Sequence, residues 1–332
     1  MKNFLLIFVV FSLDITMAQN YKSLELMAPE FREEALKWTD SILDQEAVRE
    51  RLKLQAELIK KAPPPSAKIT VPAEGDLKAV NLYLFKPKKS IPNKKGVILY
   101  FHGGGYLFGS PLTNAAKMYS MAITHNALIV AVEYSVNTYH QASLNDAYQG
   151  LKYIYYNAEK LGIDKNKIVL MGESAGGGLA ARLALYARDM GEIKAKAQVL
   201  IYPMLDYRTG GENCPYNNPY AGEFVWNRET NQYAWSILKA NQELRGKELG
   251  YFSPSMAEDL SNLPETFILV GSLDLFVDED KDYAQRLKNA GVNTELHIIS
   301  GVFHAYKSFL PKTPQAKEYN RLVNKALKRF LK

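Results

Sequence analysis

The sequence predicts an α/β fold: a mostly parallel central sheet with helices on both faces. Three observations predict it. Strand-like and helix-like segments alternate across the C-terminal two-thirds of the chain, the order that builds a parallel sheet. The strand-like segments, Val97-Ile98-Leu99-Tyr100-Phe101 and Thr266-Phe267-Ile268-Leu269-Val270 among them, are short apolar runs, as expected of strands covered on both sides. Finally, 332 residues at 47% hydrophobic content can bury a large core, which one catalytic domain would occupy.

The first residues belong to no such core. Lys2 precedes the apolar run Phe4 to Phe11, and Thr16-Met17-Ala18 precedes Gln19, the pattern of a secretory signal peptide over residues 1–18. Asp14 interrupts the stretch, which is too short to span a bilayer, so no membrane span is expected after cleavage. An uncleaved anchor is the competing reading. A secreted or periplasmic location follows. Cys214 is the only cysteine, so the fold must stand without an internal disulfide even in an oxidising compartment.

From Tyr21 to Lys61 the chain reads as amphipathic helix, with Phe31, Leu36, Trp38, Leu43, Leu52, Leu54 and Leu58 among many charges. Pro63-Pro64-Pro65 ends it. The net charge of +6 comes partly from Lys86, Lys88, Lys89, Lys94 and Lys95, which flank a connector. These lysines lack interleaved aromatics or a nucleic-acid motif, so neither DNA nor RNA is an expected partner. No metal or other cofactor is expected: no two histidines stand at ligand spacing on a helix, and the cysteine has no companion.

The strand ending at Phe101 runs into His102-Gly103-Gly104-Gly105, a loop whose N–H groups no side chain shields. Further on, the strand Lys167 to Met171 leads into Gly172-Glu173-Ser174-Ala175-Gly176 and an Ala-rich helix from Ala175 to Asp189. A G-x-S-x-G at a strand-to-helix junction is a nucleophile elbow. Its turn is so tight that side chains two positions either side of the serine would collide, hence the two glycines. Ser174 is left exposed at a helix N-terminus, with the Ala175 N–H aimed where an oxyanion would form.

A serine hydroxyl needs a base, and the base needs a carboxylate. Of five histidines, His102 is committed to bracing the glycine loop. His125 and His140 precede the serine, and His297 lies inside the strand Glu295 to Ile299. His304, in the loop after that strand, is best placed. The acid should follow the strand that ends at Val270. Asp274 lies in the loop there, while Asp278 opens the helix Glu279 to Asn289 and has the ordinary alternative of an N-cap.

These segments together resemble the hormone-sensitive-lipase-like esterases, a branch of the α/β-hydrolase fold. The likeness rests on Tyr100 to Tyr106, Gly172 to Gly177, Tyr202-Pro203-Met204-Leu205-Asp206, Asp274-x-Phe276-x-Asp278-Glu279 and Gly301-Val302-Phe303-His304. It runs from about Gly96 onward. The resemblance implies Ser174, Asp274 and His304 as the triad and the N–H groups of Gly103, Gly104 and Ala175 as the oxyanion hole. It also implies a helical cap, made by residues 19–66 and an insertion at about 206–250, over a catalytic domain of residues 67–332. The insertion carries Tyr207, Tyr216, Tyr220, Phe224, Trp226, Tyr233 and Trp235, of which one or two are expected to touch substrate. One departure stands out: Glu133 to Ala142 lacks the arginine and prolines that the family carries there, although Asp146 matches a structural aspartate.

The function expected is that of a secreted serine esterase cleaving short-chain or acetyl esters through an acyl-enzyme, with small molecules or acetylated carbohydrate as substrates. Peptidase or lactonase chemistry on the same fold is the alternative. A ligand-binding protein on this scaffold is a third reading, disfavoured because His304 is present.

Overall fold

A computed structural model describes residues 21–39, 42–87 and 95–332. The expected signal peptide and three lysines of the connector, Lys88, Lys89 and Lys94, lie outside the described residues. Eight strands form one sheet: β1 (Ala67–Val71), β2 (Val80–Phe85), β3 (Lys95–Phe101), β4 (Leu128–Glu133), β5 (Ile163–Glu173), β6 (Ala197–Ile201), β7 (Glu265–Gly271) and β8 (Thr294–Ile299). Their order is β1-β2-β4-β3-β5-β6-β7-β8. β1, β2 and β4 pair antiparallel in succession, and every pairing from β4 through β8 is parallel. The chain leaves β3 toward β4 and returns on the other side to β5. Open sheets bind ligands at such a reversal, beyond the carboxyl ends of the strands.

The pleat sends alternate residues into two cores. Val97, Leu99 and Phe101 of β3 enter one, while Ile98 and Tyr100 enter the other. The first core is covered by α4 (His140–Tyr156), α6 (Ala175–Met190) and α9 (Val277–Asn289); the second by α3 (Ala115–His125) and α11 (Pro314–Phe330). A short helix, α5 (Ala158–Leu161), precedes β5, and α10 (Tyr306–Phe309) precedes α11. Helix ends follow local chemistry. Gly191, left-handed at φ 70°, closes α6 with its N–H on the Ala187 and Arg188 carbonyls. Thr313 caps α11 with Pro314 in its first turn.

The helix-like stretch from Tyr21 to Lys61 is several pieces: two 3-10 turns, Lys22–Glu25 and Leu36–Trp38, with α1 (Pro29–Ala35) between them and α2 (Gln45–Lys61) beyond. Pro29 is tolerated only in a first turn, so a new helix starts there. Asp44 caps α2 by accepting from the Ala47 N–H, and the helix stops just before Pro63. Between β6 and β7, residues 206–250 hold α7 (Arg228–Lys239) and the start of α8 (Gly246–Phe252). The two segments are joined. Glu223 accepts from the Ser23 N–H at 2.8 Å, and the Leu43 N–H donates to the Thr230 hydroxyl at 3.0 Å.

Candidate active site

The elbow sits where β5 ends and α6 begins. Ser174 has φ 55° and ψ −122°, a backbone conformation that side chains rarely adopt. Its surroundings hold it there: its N–H donates to the Ile201 carbonyl at 2.9 Å, and its carbonyl accepts from the Gly178 and Met204 N–H groups. A Cβ at Gly172 would lie 2.0 Å from the Gly176 carbonyl oxygen, and one at Gly176 would lie 2.3 Å from that of Phe101. The two glycines are therefore required by backbone crossing.

Beside the serine, Glu173 is half-buried and anchors the turn to two helices. Lys117 of α3 pairs with its carboxylate, and the Tyr319 hydroxyl of α11 donates to it at 2.9 Å. Burial works against its charge, but Lys117 outweighs burial and keeps the carboxyl below its ordinary range. No local pattern signals this network, because its members are brought together only by tertiary packing.

The glycine loop folds over the carboxyl end of β3. Gly104 takes φ 125°, where a Cβ would fall 2.2 Å from the Phe108 carbonyl oxygen. Its own carbonyl accepts from the Leu107 and Phe108 N–H groups. His102 braces this loop as expected: its Nδ1 lies 2.8 Å from the Gly103 carbonyl, its carbonyl accepts from the Tyr134 hydroxyl at 2.7 Å, and the two rings stack. Burial pushes its pKa down to about 4, so it stays neutral. Among the described residues, the N–H groups of Gly103, Gly104 and Ala175 are given to no other backbone carbonyl. They remain available to a ligand oxygen.

His304 lies between the serine and an aspartate. Its Nε2 is 3.0 Å from Ser174 Oγ, and its Nδ1 is 2.8 Å from Asp274 Oδ2. Asp274 is fully buried, and its other oxygen accepts from the Phe276 N–H at 3.0 Å. Phe276 packs edge-on against the imidazole with centroids 5.2 Å apart, and Tyr202 does so at 4.8 Å. Asp278 is elsewhere. Its carboxylate faces Asn218 and Lys281, and it is no N-cap either, since α9 begins one residue earlier at Val277.

The remaining histidines stand apart. His125 ends α3 and meets Asn324, and His297 on β8 meets Glu295. His140 is buried at the start of α4, where burial and then Arg182 hold its pKa down near 4.

A cavity of about 400 Å³ opens over Ser174 and His304. Of the seven insertion aromatics only Trp226 lines it; Phe224 and Trp235 are buried in the core. The Trp226 ring lies across the glycine loop, so close that a Cβ on Gly105 would stand 2.1 Å from it. From the other side come Arg51, Leu54, Gln55 and Leu58 of α2, spaced to share one helix face. Among the described residues no cluster of side chains could hold a metal ion, and no helix is long and apolar enough to cross a membrane.

A reversal crevice with an elbow serine at its base is the frame of the α/β hydrolases. The family model described as alpha/beta hydrolase fold matches residues 98–308, and the chain belongs to this family, in its hormone-sensitive-lipase-like branch. It is 31% identical over 241 residues to the carboxylesterase NlhH of Mycobacterium tuberculosis, covering 71% of this chain and 74% of that one. An ethyl acetate hydrolase of Pseudomonas putida is 28% identical over 254 residues, 75% of this chain and 78% of its own. Among solved structures, a bacterial heroin esterase superposes with a TM-score of 0.81 at 26% identity, covering 94% of this chain and 100% of its own. The protein is a carboxylic-ester hydrolase.

Proposed function

We propose that this esterase cleaves short-chain, chiefly acetyl, esters through an acyl-enzyme formed on Ser174. His304 takes the hydroxyl proton as Oγ attacks the ester carbonyl, and Asp274 stabilises the resulting imidazolium. The N–H groups of Gly103, Gly104 and Ala175 receive the oxyanion. Collapse of the tetrahedral intermediate expels the alcohol, which leaves with the proton from His304. Water then repeats the attack on the acyl group and frees the serine. The observation that carries this reading is the position of His304, within hydrogen-bond reach of both Ser174 and Asp274.

The preference for short acyl groups rests on the roughly 400 Å³ cavity and its Trp226 wall, and on the likeness to an ethyl acetate hydrolase. Residues 19–66 and about 206–250 act as one cap, a reading supported by the bonds that tie them together and by the α2 face in the cavity. Secretion rests on the signal-like residues 1–18, and acetylated carbohydrate is the substrate that such a location favours.

The test is a series of p-nitrophenyl esters from acetate to octanoate, run beside acetylated xylan. Acetate should be the best of the series, and Ser174→Ala or His304→Ala should lower kcat by roughly 10⁴ to 10⁶. Wild-type activity in either variant would sink the mechanism. A chain that hydrolyses none of these esters and resists a fluorophosphonate probe would be a binding protein instead. Cleavage of peptides or lactones in preference to esters would move it to the alternative specificity. N-terminal sequencing of protein from the culture medium should begin at Gln19.

A further inference from the structure

We infer that Gln55 of α2 is a positioning residue for the oxyanion loop, so that docking of the N-terminal helix sets the geometry of catalysis. This rests on the oxyanion role proposed above. The Gln55 amide makes a reciprocal pair with one backbone unit: the Gly109 N–H donates to Oε1 at 2.7 Å, and Nε2 donates to the Gly109 carbonyl at 3.2 Å. Gly109 is where the glycine loop exits. It has φ 120°, and a Cβ there would lie 2.2 Å from His102 Nδ1 and 2.5 Å from the Gly103 carbonyl oxygen. The exit of the loop is thus pressed against its entry, with the Gly104 turn closed between them. Fixing Gly109 fixes the direction in which Gly103 and Gly104 present their N–H groups.

The other half of the inference is how little else holds α2. Val48 is its one buried residue, while Leu54 and Leu58 on the cavity face are 60% and 58% exposed. A helix with so little apolar burial depends on specific polar contacts for its placement. The Gln55 pair is such a contact, and it lands on the loop that serves the transition state. An oxyanion donor helps only when it points at the developing charge, and one lost donor typically costs about 10²- to 10³-fold in kcat. Loosening the loop without deleting a donor should cost less.

The experiment compares the full-length enzyme with Gln55→Met and Gln55→Glu on p-nitrophenyl acetate. Methionine keeps the side chain's length and helix propensity and removes both bonds; glutamate keeps only the acceptor for the Gly109 N–H. The expected result is a fall in kcat of about 10- to 100-fold for Gln55→Met, with KM within twofold and a smaller fall for Gln55→Glu. Affinity for a trifluoromethyl ketone, whose adduct with Ser174 places an oxyanion in the hole, should weaken in parallel with kcat/KM. Glu57→Met, on the same helix but outside the cavity, should leave kcat within twofold. A merely structural Gln55 would lower the melting temperature or raise KM and leave kcat and the ketone affinity unchanged, which would overturn the inference. A wild-type enzyme without esterase activity would instead refute the underlying reading.

Discussion

At the scale of single residues, the two aspartates of the Asp274-x-Phe276-x-Asp278 stretch show what sequence can and cannot separate. Both follow the same strand by a few residues, and either could reach a loop histidine. Packing decides between them: Asp274 faces His304, whereas Asp278 turns to Lys281 and Asn218. Asp274→Asn should cut kcat by roughly 10³ to 10⁴ at little cost in stability, and Asp278→Asn should change it less than about threefold. Steady-state assays with melting curves on both variants check this. Trp226 was one of seven equal candidates until the fold set its ring over Gly105. Trp226→Leu should enlarge the cavity and raise the octanoate-to-acetate ratio of kcat/KM about tenfold, since each buried methylene contributes about 0.8 kcal/mol. An unchanged ratio would place the acyl group elsewhere.

At the scale of elements, legibility followed the range of the constraint. The elbow and the glycine loop were legible because their glycines answer to backbone clashes within one turn. β1 was not: its residues are alternately half-buried and exposed at the sheet edge, so it carries little apolar signal. The apolar residues of the N-terminal segment keep a helical spacing throughout, which makes it legible as amphipathic helix, while Pro29 and the Asp44 cap set the breaks between its pieces. What no local pattern shows is which way the α2 face turns. Leu54 and Leu58 look like ordinary amphipathic positions, yet they line the cavity. Replacing both with serine should raise KM for butyrate and longer esters about five- to tenfold through lost apolar contact, with kcat little changed. Equal KM values would show that this face does not meet substrate.

For the whole molecule, the alternation of strand and helix foretold a covered, mostly parallel sheet, but not the two strands that extend it antiparallel or the buried carboxyl groups on α9. Asp280 is fully buried with neither carboxyl oxygen hydrogen-bonded. Burial first, then Glu279 and Asp274, raise its pKa well above the carboxylate range. The protonated form is therefore the one that suits the fold. Its contribution is full below the unfolded value of about 3.9 and is lost as pH rises toward the folded one. Asp280→Asn should raise the melting temperature at pH 8 by about 2–4 °C per kcal/mol recovered, and by less at pH 4.5. A variant less stable at pH 8 would mean that the carboxylate has a role the fold does not reveal.

The order of the strands has one more consequence. The glycine loop follows β3, the serine β5, the aspartate β7 and the histidine β8, so the groups of the proposed mechanism come from points as far apart in the chain as Gly103 and His304. No stretch of the polypeptide that stops short of β8 holds the complete set. Turnover should thus appear only after the last parallel strand has docked, and the rate at which activity returns on refolding would serve as a clock for completion of the sheet.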